Sequence, residues 1–159
     1  MIFLSRFGEK VMTKYLNVSW EDFHSNTAKL AAQLKESDTQ WDGIVAVTRG
    51  GLIPAAILAH EMDIKLIDTV CVASYDDDTK SQGELNVLKS INQSGKNLIV
   101  VDDLVDTGKT HQTLEKMLPE ATMAVIYAKP MGKPRVDYSV EDVDQDCWIV
   151  FPWEESPAA

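Results

Sequence analysis

The stretch Leu98-Ile99-Val100-Val101-Asp102-Asp103-Leu104-Val105-Asp106-Thr107-Gly108-Lys109-Thr110 constrains the fold more than any other. A β-branched apolar run of strand length ends in two adjacent carboxylates, a third follows, and a Thr-Gly-Lys-Thr turn then opens a helical pattern. Residues 44–62 repeat the plan. Ile44-Val45-Ala46-Val47 passes through Thr48-Arg49-Gly50-Gly51 into a helix-forming run with Pro54 near its first turn. Strands that feed glycine turns and helices predict an α/β fold, a mainly parallel twisted sheet flanked by helices on both faces. In such a sheet the ligand lies beyond the carboxyl ends of the strands, where helix N-termini offer unpaired N–H groups to an anion.

Several readings compete for the central stretch. A P-loop ends in Gly-Lys-Thr, as Gly108 to Thr110 do, but its first glycine is replaced by Asp103, which would point charge into a nucleotide's phosphates. A solvated acidic loop after a buried strand is the bland reading. Residues Val100 to Gly108, however, resemble the 5-phosphoribosyl-1-pyrophosphate (PRPP) motif of the type I phosphoribosyltransferases. At the first glycine turn, Arg49 offers a forked cation and Gly50 a close backbone approach for an anion, against the simpler reading of a plain turn with an exposed arginine.

The rest of the chain supplies the frame. Ser19 stands three residues before Asp22, and Phe23, Thr27, Leu30, Ala31 and Leu34 share one face, so a helix is predicted over Trp20–Lys35 with His24 at the surface. Thr69 to Ala73 and Leu85 to Leu88 read as strands. Between them Asp76 to Gly83 carries no hydrophobic residue and is expected to be a mobile surface loop; its aspartates lack the glycine and glutamate of a calcium loop. After the central strand, Thr113, Leu114, Met117 and Leu118 line the buried face of a helix that Pro119 closes, and Ala121 to Ala128 form a strand capped by Lys129-Pro130. The acidic residues from Asp137 to Asp146 read as a solvated connector. Trp148 is either a stacking wall for a planar base or a tryptophan that closes the core.

Composition narrows the partners. A formal charge of −10 on 159 residues excludes a nucleic-acid footprint, though amides, lysines and Mg²⁺ in one cleft can still hold a phosphorylated substrate. Cys71 and Cys147 are too few for a disulfide scaffold and fit a reduced cytoplasmic protein. No run has membrane-span length, and a single domain over 1–159 is expected, with 1–11 as an N-terminal extension and 76–84 as an active-site loop.

Taken together, Val45 to Leu52, Asp68 to Cys71, Ser74-Tyr75-Asp76, Asp102 to Thr110, Ala128-Lys129-Pro130 and Gln145 to Ile149 resemble the bacterial xanthine-guanine branch of the type I purine phosphoribosyltransferase family, in order from about Tyr15 to Trp153. The resemblance implies that family's fold, with a small C-terminal hood, and a purine-salvage transfer of phosphoribosyl from PRPP to guanine, xanthine or hypoxanthine. It implies Asp106 as the catalytic proton acceptor at purine N7, Asp103 as the Mg²⁺ ligand and Asp102 at the ribose hydroxyls. Substrate contacts run on through Leu104 and Val105, with Asp106, Thr107, Gly108, Lys109 and Thr110 around the 5′-phosphate. Arg49 and Gly50 would meet pyrophosphate, across a cis Thr48–Arg49 peptide. Lys129 would meet the exocyclic O6, and Trp148 with the Ile149 backbone the base. A homotetramer, peripheral at the inner face of the bacterial inner membrane, is also implied.

The chain departs from the family pattern in three places. Lys109 replaces a second glycine, Val150-Phe151 replaces polar residues, and Gly83 stands where a pyrophosphate-binding arginine is expected, which makes Lys80 the candidate substitute. The alternative to an enzyme is a non-catalytic PRPP-responsive regulator on the same fold.

Overall fold

The computed structural model describes residues 13–74 and 85–154. The expectations for 1–11, for 76–84 and for Lys80 fall outside those residues. Among the described residues three helices and eight strands follow in the order β1 (Lys14–Asn17), α1 (Trp20–Lys35), β2 (Gly43–Thr48), α2 (Leu52–Glu61), β3 (Ile67–Ser74), β4 (Leu85–Lys89), β5 (Leu98–Val105), α3 (Lys109–Met117), β6 (Thr122–Ala128), β7 (Glu141–Asp142) and β8 (Cys147–Val150), with a 3-10 turn at Lys133–Arg135. Six of the strands form one sheet in the order β4-β3-β2-β5-β6-β7. All its pairings are parallel except β3 with β4, so the mainly parallel sheet carries one antiparallel edge.

The continuous apolar runs of β2, β5 and β6 are explained by burial on both faces. Ile44, Ala46, Ile99, Val101, Ala124 and Ile126 pack with Leu30, Leu34 and Leu58 of α1 and α2. The alternate residues Val45, Val47, Val100 and Met123 pack with Leu114 and Leu118 at the α3 side. Helices therefore cover both faces, as the strand-turn-helix repeat predicts. Helix α1 begins where its capping pattern places it: the Asp22 N–H donates to Ser19 Oγ at 3.0 Å, and Phe23, Thr27, Leu30, Ala31 and Leu34 are its buried face.

The two chain ends meet in a second, two-stranded sheet. Parallel strands β1 and β8 pair Tyr15 with Trp148 and Leu16 with Ile149, giving the small hood. An aromatic cluster fastens the hood to α1 and the main sheet: Phe151 stacks on Trp153 at 4.8 Å, Trp153 meets the edge of Phe23 on α1 at 4.9 Å, and Phe151 meets Tyr127 of β6 edge-on at 5.7 Å. The apolar Val150-Phe151 pair thus has a structural reason, since both residues are buried. Trp148 does not close the core and stands 59% exposed.

The acidic connector is the expected solvated face: Asp137, Asp142, Asp144 and Asp146 are exposed, and Asp142 pairs with Lys133 at the surface. The structure adds that Glu141–Asp142 forms a short strand beside β6 and that Asp137 Oδ2 accepts the Met123 N–H at 2.8 Å, a backbone donor at the sheet edge. Among the described residues no helix is long and apolar enough to cross a membrane.

Candidate functional site

Strand β5 runs further than its apolar stretch. Leu104 and Val105 pair with Tyr127 and Ala128, so Asp102 and Asp103 lie on a hydrogen-bonded strand rather than in a loop. Sheet pairing gives the two carboxylates a fixed backbone. The Asp103 N–H donates to Asp102 Oδ1 at 2.9 Å. Burial pushes the Asp102 carboxyl well above the usual range, and the neighbouring Asp103 charge adds to it. Burial likewise raises Asp103, to about 6, against the lowering effect of hydrogen bonds from Asp102 and the Leu104 backbone; the charge of Glu154 adds to the rise. No cationic side chain among the described residues acts on either group.

The pair opens into a cleft of about 620 Å³ that Arg49, Gly50, Thr110 and Glu154 also line. Gly50 is required by close approach, because a Cβ there would lie 2.6 Å from the Asp103 carboxylate. The Thr48–Arg49 peptide is cis. Beyond Arg49, helix α2 starts with neither a side-chain cap nor an acidic residue in its first turn.

Helix α3 starts the same way. Gly108 takes the left-handed conformation, φ 85°, at its N-cap, and no side chain caps the helix. The first-turn N–H groups of an α-helix lack partners within it, so Gly108, Lys109 and Thr110 carry amides free of intrahelical partners at this end, and Thr110 lines the cleft. The Lys109 side chain is exposed, which leaves its amide available in place of a glycine's. His111, the next residue, is buried, and burial lowers its imidazole to about 4.

Asp106 follows the end of β5 and Lys129 the end of β6. The Lys129 N–H donates to the Val105 carbonyl at 2.9 Å, and its Nζ lies 3.3 Å from Asp106 Oδ2. The lysine side chain is only 8% exposed, whereas Asp106 is 51% exposed. Gln145 completes the group by donating from Nε2 to Asp106 Oδ1 at 2.7 Å. Trp148 and the buried Ile149 follow on β8.

The structure therefore brings Arg49, Gly50, Asp102, Asp103 and Thr110 to one cleft and Asp106 with Lys129 to a second cluster, joined through β5. Two residues of the site are not among the expected site residues. Glu154 reaches the cleft from beyond the hood, and the apolar run before it could have placed it at a core edge; Gln145 opens the Gln145 to Ile149 segment that carries the family resemblance, but nothing local points it at Asp106.

The donor set suits a magnesium ion. Mg²⁺ is held by one or two carboxylates together with substrate oxygens, and Asp102 and Asp103 offer hard oxygens whose burial without a counter-charge a divalent cation would relieve.

Comparison with known proteins identifies the family. Residues 19–159 match the phosphoribosyl transferase domain family. The chain is 51% identical over 137 residues to xanthine-guanine phosphoribosyltransferase of Chromohalobacter salexigens, covering 86% of this chain and 82% of that one. It is 47% identical over 137 residues to the protein of the same name from Desulfotalea psychrophila, covering 86% and 84%. A purine phosphoribosyltransferase structure from Pyrococcus horikoshii superposes with a TM-score of 0.77 at 31% identity, covering 91% of this chain and 97% of that one. On its sequence, its sheet order and the relatives it matches over most of their length, the chain belongs to the phosphoribosyltransferase family.

Proposed function

We propose that this protein is a xanthine-guanine phosphoribosyltransferase, which transfers the 5-phosphoribosyl group of PRPP to guanine, xanthine or hypoxanthine and releases pyrophosphate and the nucleoside monophosphate. One observation carries the reading. Asp106 and Lys129 present an acceptor and a donor 3.3 Å apart at the ends of adjacent strands. The three purines carry N7 and O6 side by side on one edge, so a base can give its N7 proton to Asp106 while O6 accepts from Lys129. Trp148, exposed on β8, supplies a face on which the ring stacks.

The chemistry follows from these positions. As the bond from ribose C1′ to pyrophosphate breaks, positive charge develops on the ribose, and N9 of the base forms the new bond at C1′. Loss of the N7 proton to Asp106 keeps the product base neutral. Asp102 faces the ribose hydroxyls. The α3 amides from Thr107 to Thr110, after Leu104 and Val105, hold the 5′-phosphate, and Arg49 with Gly50 meets pyrophosphate. Asp103 would hold Mg²⁺, which when bound would supply charge neutralisation for the departing pyrophosphate. Much of the acceleration comes from holding base and ribose in line, since no covalent enzyme intermediate is needed.

The test is pyrophosphate release measured with PRPP, Mg²⁺ and each purine in turn. Turnover with at least one base is expected, and tight PRPP binding without turnover on any of them would instead make the protein a PRPP-responsive regulator. A homotetramer and a cytoplasmic location belong to the same reading. Light scattering checks the first.

A further inference from the structure

Gln145 lies between β7 and β8, three positions before Trp148, on a turn braced at both ends. The Val143 N–H donates to the Ala128 carbonyl at 3.0 Å, and the Cys147 N–H to the Asp144 carbonyl at 3.1 Å. From this turn the Gln145 side chain makes two bonds of opposite polarity. Its Oε1 accepts the Met131 N–H at 2.9 Å, and its Nε2 donates to Asp106 Oδ1 at 2.7 Å. A backbone N–H can only donate and a carboxylate can only accept, so the partners fix which way the amide faces.

Both Asp106 oxygens are therefore engaged, Oδ1 by Gln145 and Oδ2 by Lys129 at the longer distance of 3.3 Å. Two fixed donors set the plane of the carboxylate. They also leave it acceptor capacity, because an ionised carboxylate has about four lone-pair sites. Without Gln145 the half-exposed Asp106 would be free to turn towards the buried Lys129 ammonium and close that ion pair, which would draw the acceptor and the donor away from the two atoms of the base they serve.

We propose that Gln145 is a positioning residue for the transfer reaction: it holds the Asp106 carboxylate at the angle that receives the purine N7 proton and ties it to the segment that carries Trp148. The inference rests on the transferase reading above. The Gln145 side chain bonds only the Met131 N–H and Asp106 among the described residues, so it acts on the step that uses Asp106.

Gln145→Glu is the informative variant. It is of equal size and still accepts the Met131 N–H, but it cannot donate to Asp106 and sets a like charge against it. Steady-state kinetics should show kcat reduced roughly 10- to 100-fold, the scale of one lost charge-assisted hydrogen bond, with the KM for PRPP within about twofold of the parent. Gln145→Met, which removes both bonds but keeps the bulk, should behave alike. In an Asp106→Asn background the same change at Gln145 should lower the residual rate by less than about threefold, because the group it positions is gone. Unchanged kcat in both single variants, losses that multiply with that of Asp106→Asn, or a parallel rise in the KM for PRPP would each overturn the assignment. Failure of the parent itself to turn over any purine would instead remove the functional reading on which it rests.

Discussion

Strand β5 ends in two acidic regions three positions apart, and they have opposite electrostatics. At Asp102–Asp103 burial holds both carboxyls towards the neutral form, with the Asp103 charge adding at Asp102 and the Glu154 charge at Asp103, and no cationic side chain among the described residues offsets it. At Asp106 the carboxylate is half exposed and receives one ammonium and one amide donor. In the proposed reaction the first region would take a cation brought from outside and the second a proton. Residue type and strand are shared, so the difference lies in water access and in what neighbouring strands deliver: Gly50 and Glu154 on one side, Lys129 and Gln145 on the other.

The most direct way to break this contrast is to make the same substitution in both regions. Asp106→Asn should lower kcat by roughly 10²–10⁴-fold with PRPP binding nearly intact, the range for a lost proton acceptor. It should also destabilise the fold by about 1 kcal/mol, since the buried Lys129 loses its counter-charge. An equal loss of PRPP affinity would make Asp106 part of the phosphate loop instead. Asp103→Asn should weaken PRPP binding in the presence of Mg²⁺ by roughly 10²-fold, read by calorimetry, while leaving the metal-free protein no less stable. Destabilisation of the metal-free form would show that the buried Asp103 charge carries no penalty there.

Burial penalises charge of either sign, and His111 tests that on the α3 side. Its imidazole is held near 4, below its ordinary 6.5. Above pH 6.5 both folded and unfolded chains are neutral there; as the pH falls from 6.5 to about 4 only the unfolded chain takes up the proton, so stability is lost over that window. Replacing His111 with glutamine should flatten this limb by on the order of 2 kcal/mol in urea midpoints measured across it. Identical limbs in parent and variant would place the imidazole in water. The smallest effect is expected at the open end of the second region. Trp148→Ala should raise the KM for the purine roughly tenfold and change stability by less than about 0.5 kcal/mol.

Much of this was legible locally. The Ser19 cap and the apolar face from Phe23 to Leu34 placed α1, and the apolar runs before Thr48 and Asp102 placed the strands. Period and capping work because each element has to meet its own backbone hydrogen bonds and bury its own apolar face. The PRPP motif was legible for a related reason: it is one strand end, one turn and one helix start, all within thirteen consecutive residues. The sheet's antiparallel edge and the short β7 were less accessible, because polar edge residues pair only where a neighbouring strand is already in place.

What the chain's own order determined, then, is the set of elements, the central motif and the chemistry its residue types allow. The tertiary structure decided which tryptophan serves which purpose: Trp153 joins Phe151 and Phe23 in the aromatic cluster, and Trp148 is left exposed. It also decided that Glu154 lines the cleft and that Gln145 donates to Asp106 from 39 positions away. Such contacts have no periodicity or spacing to read, because they depend on how two separately formed pieces, the main sheet and the hood, come to rest against each other.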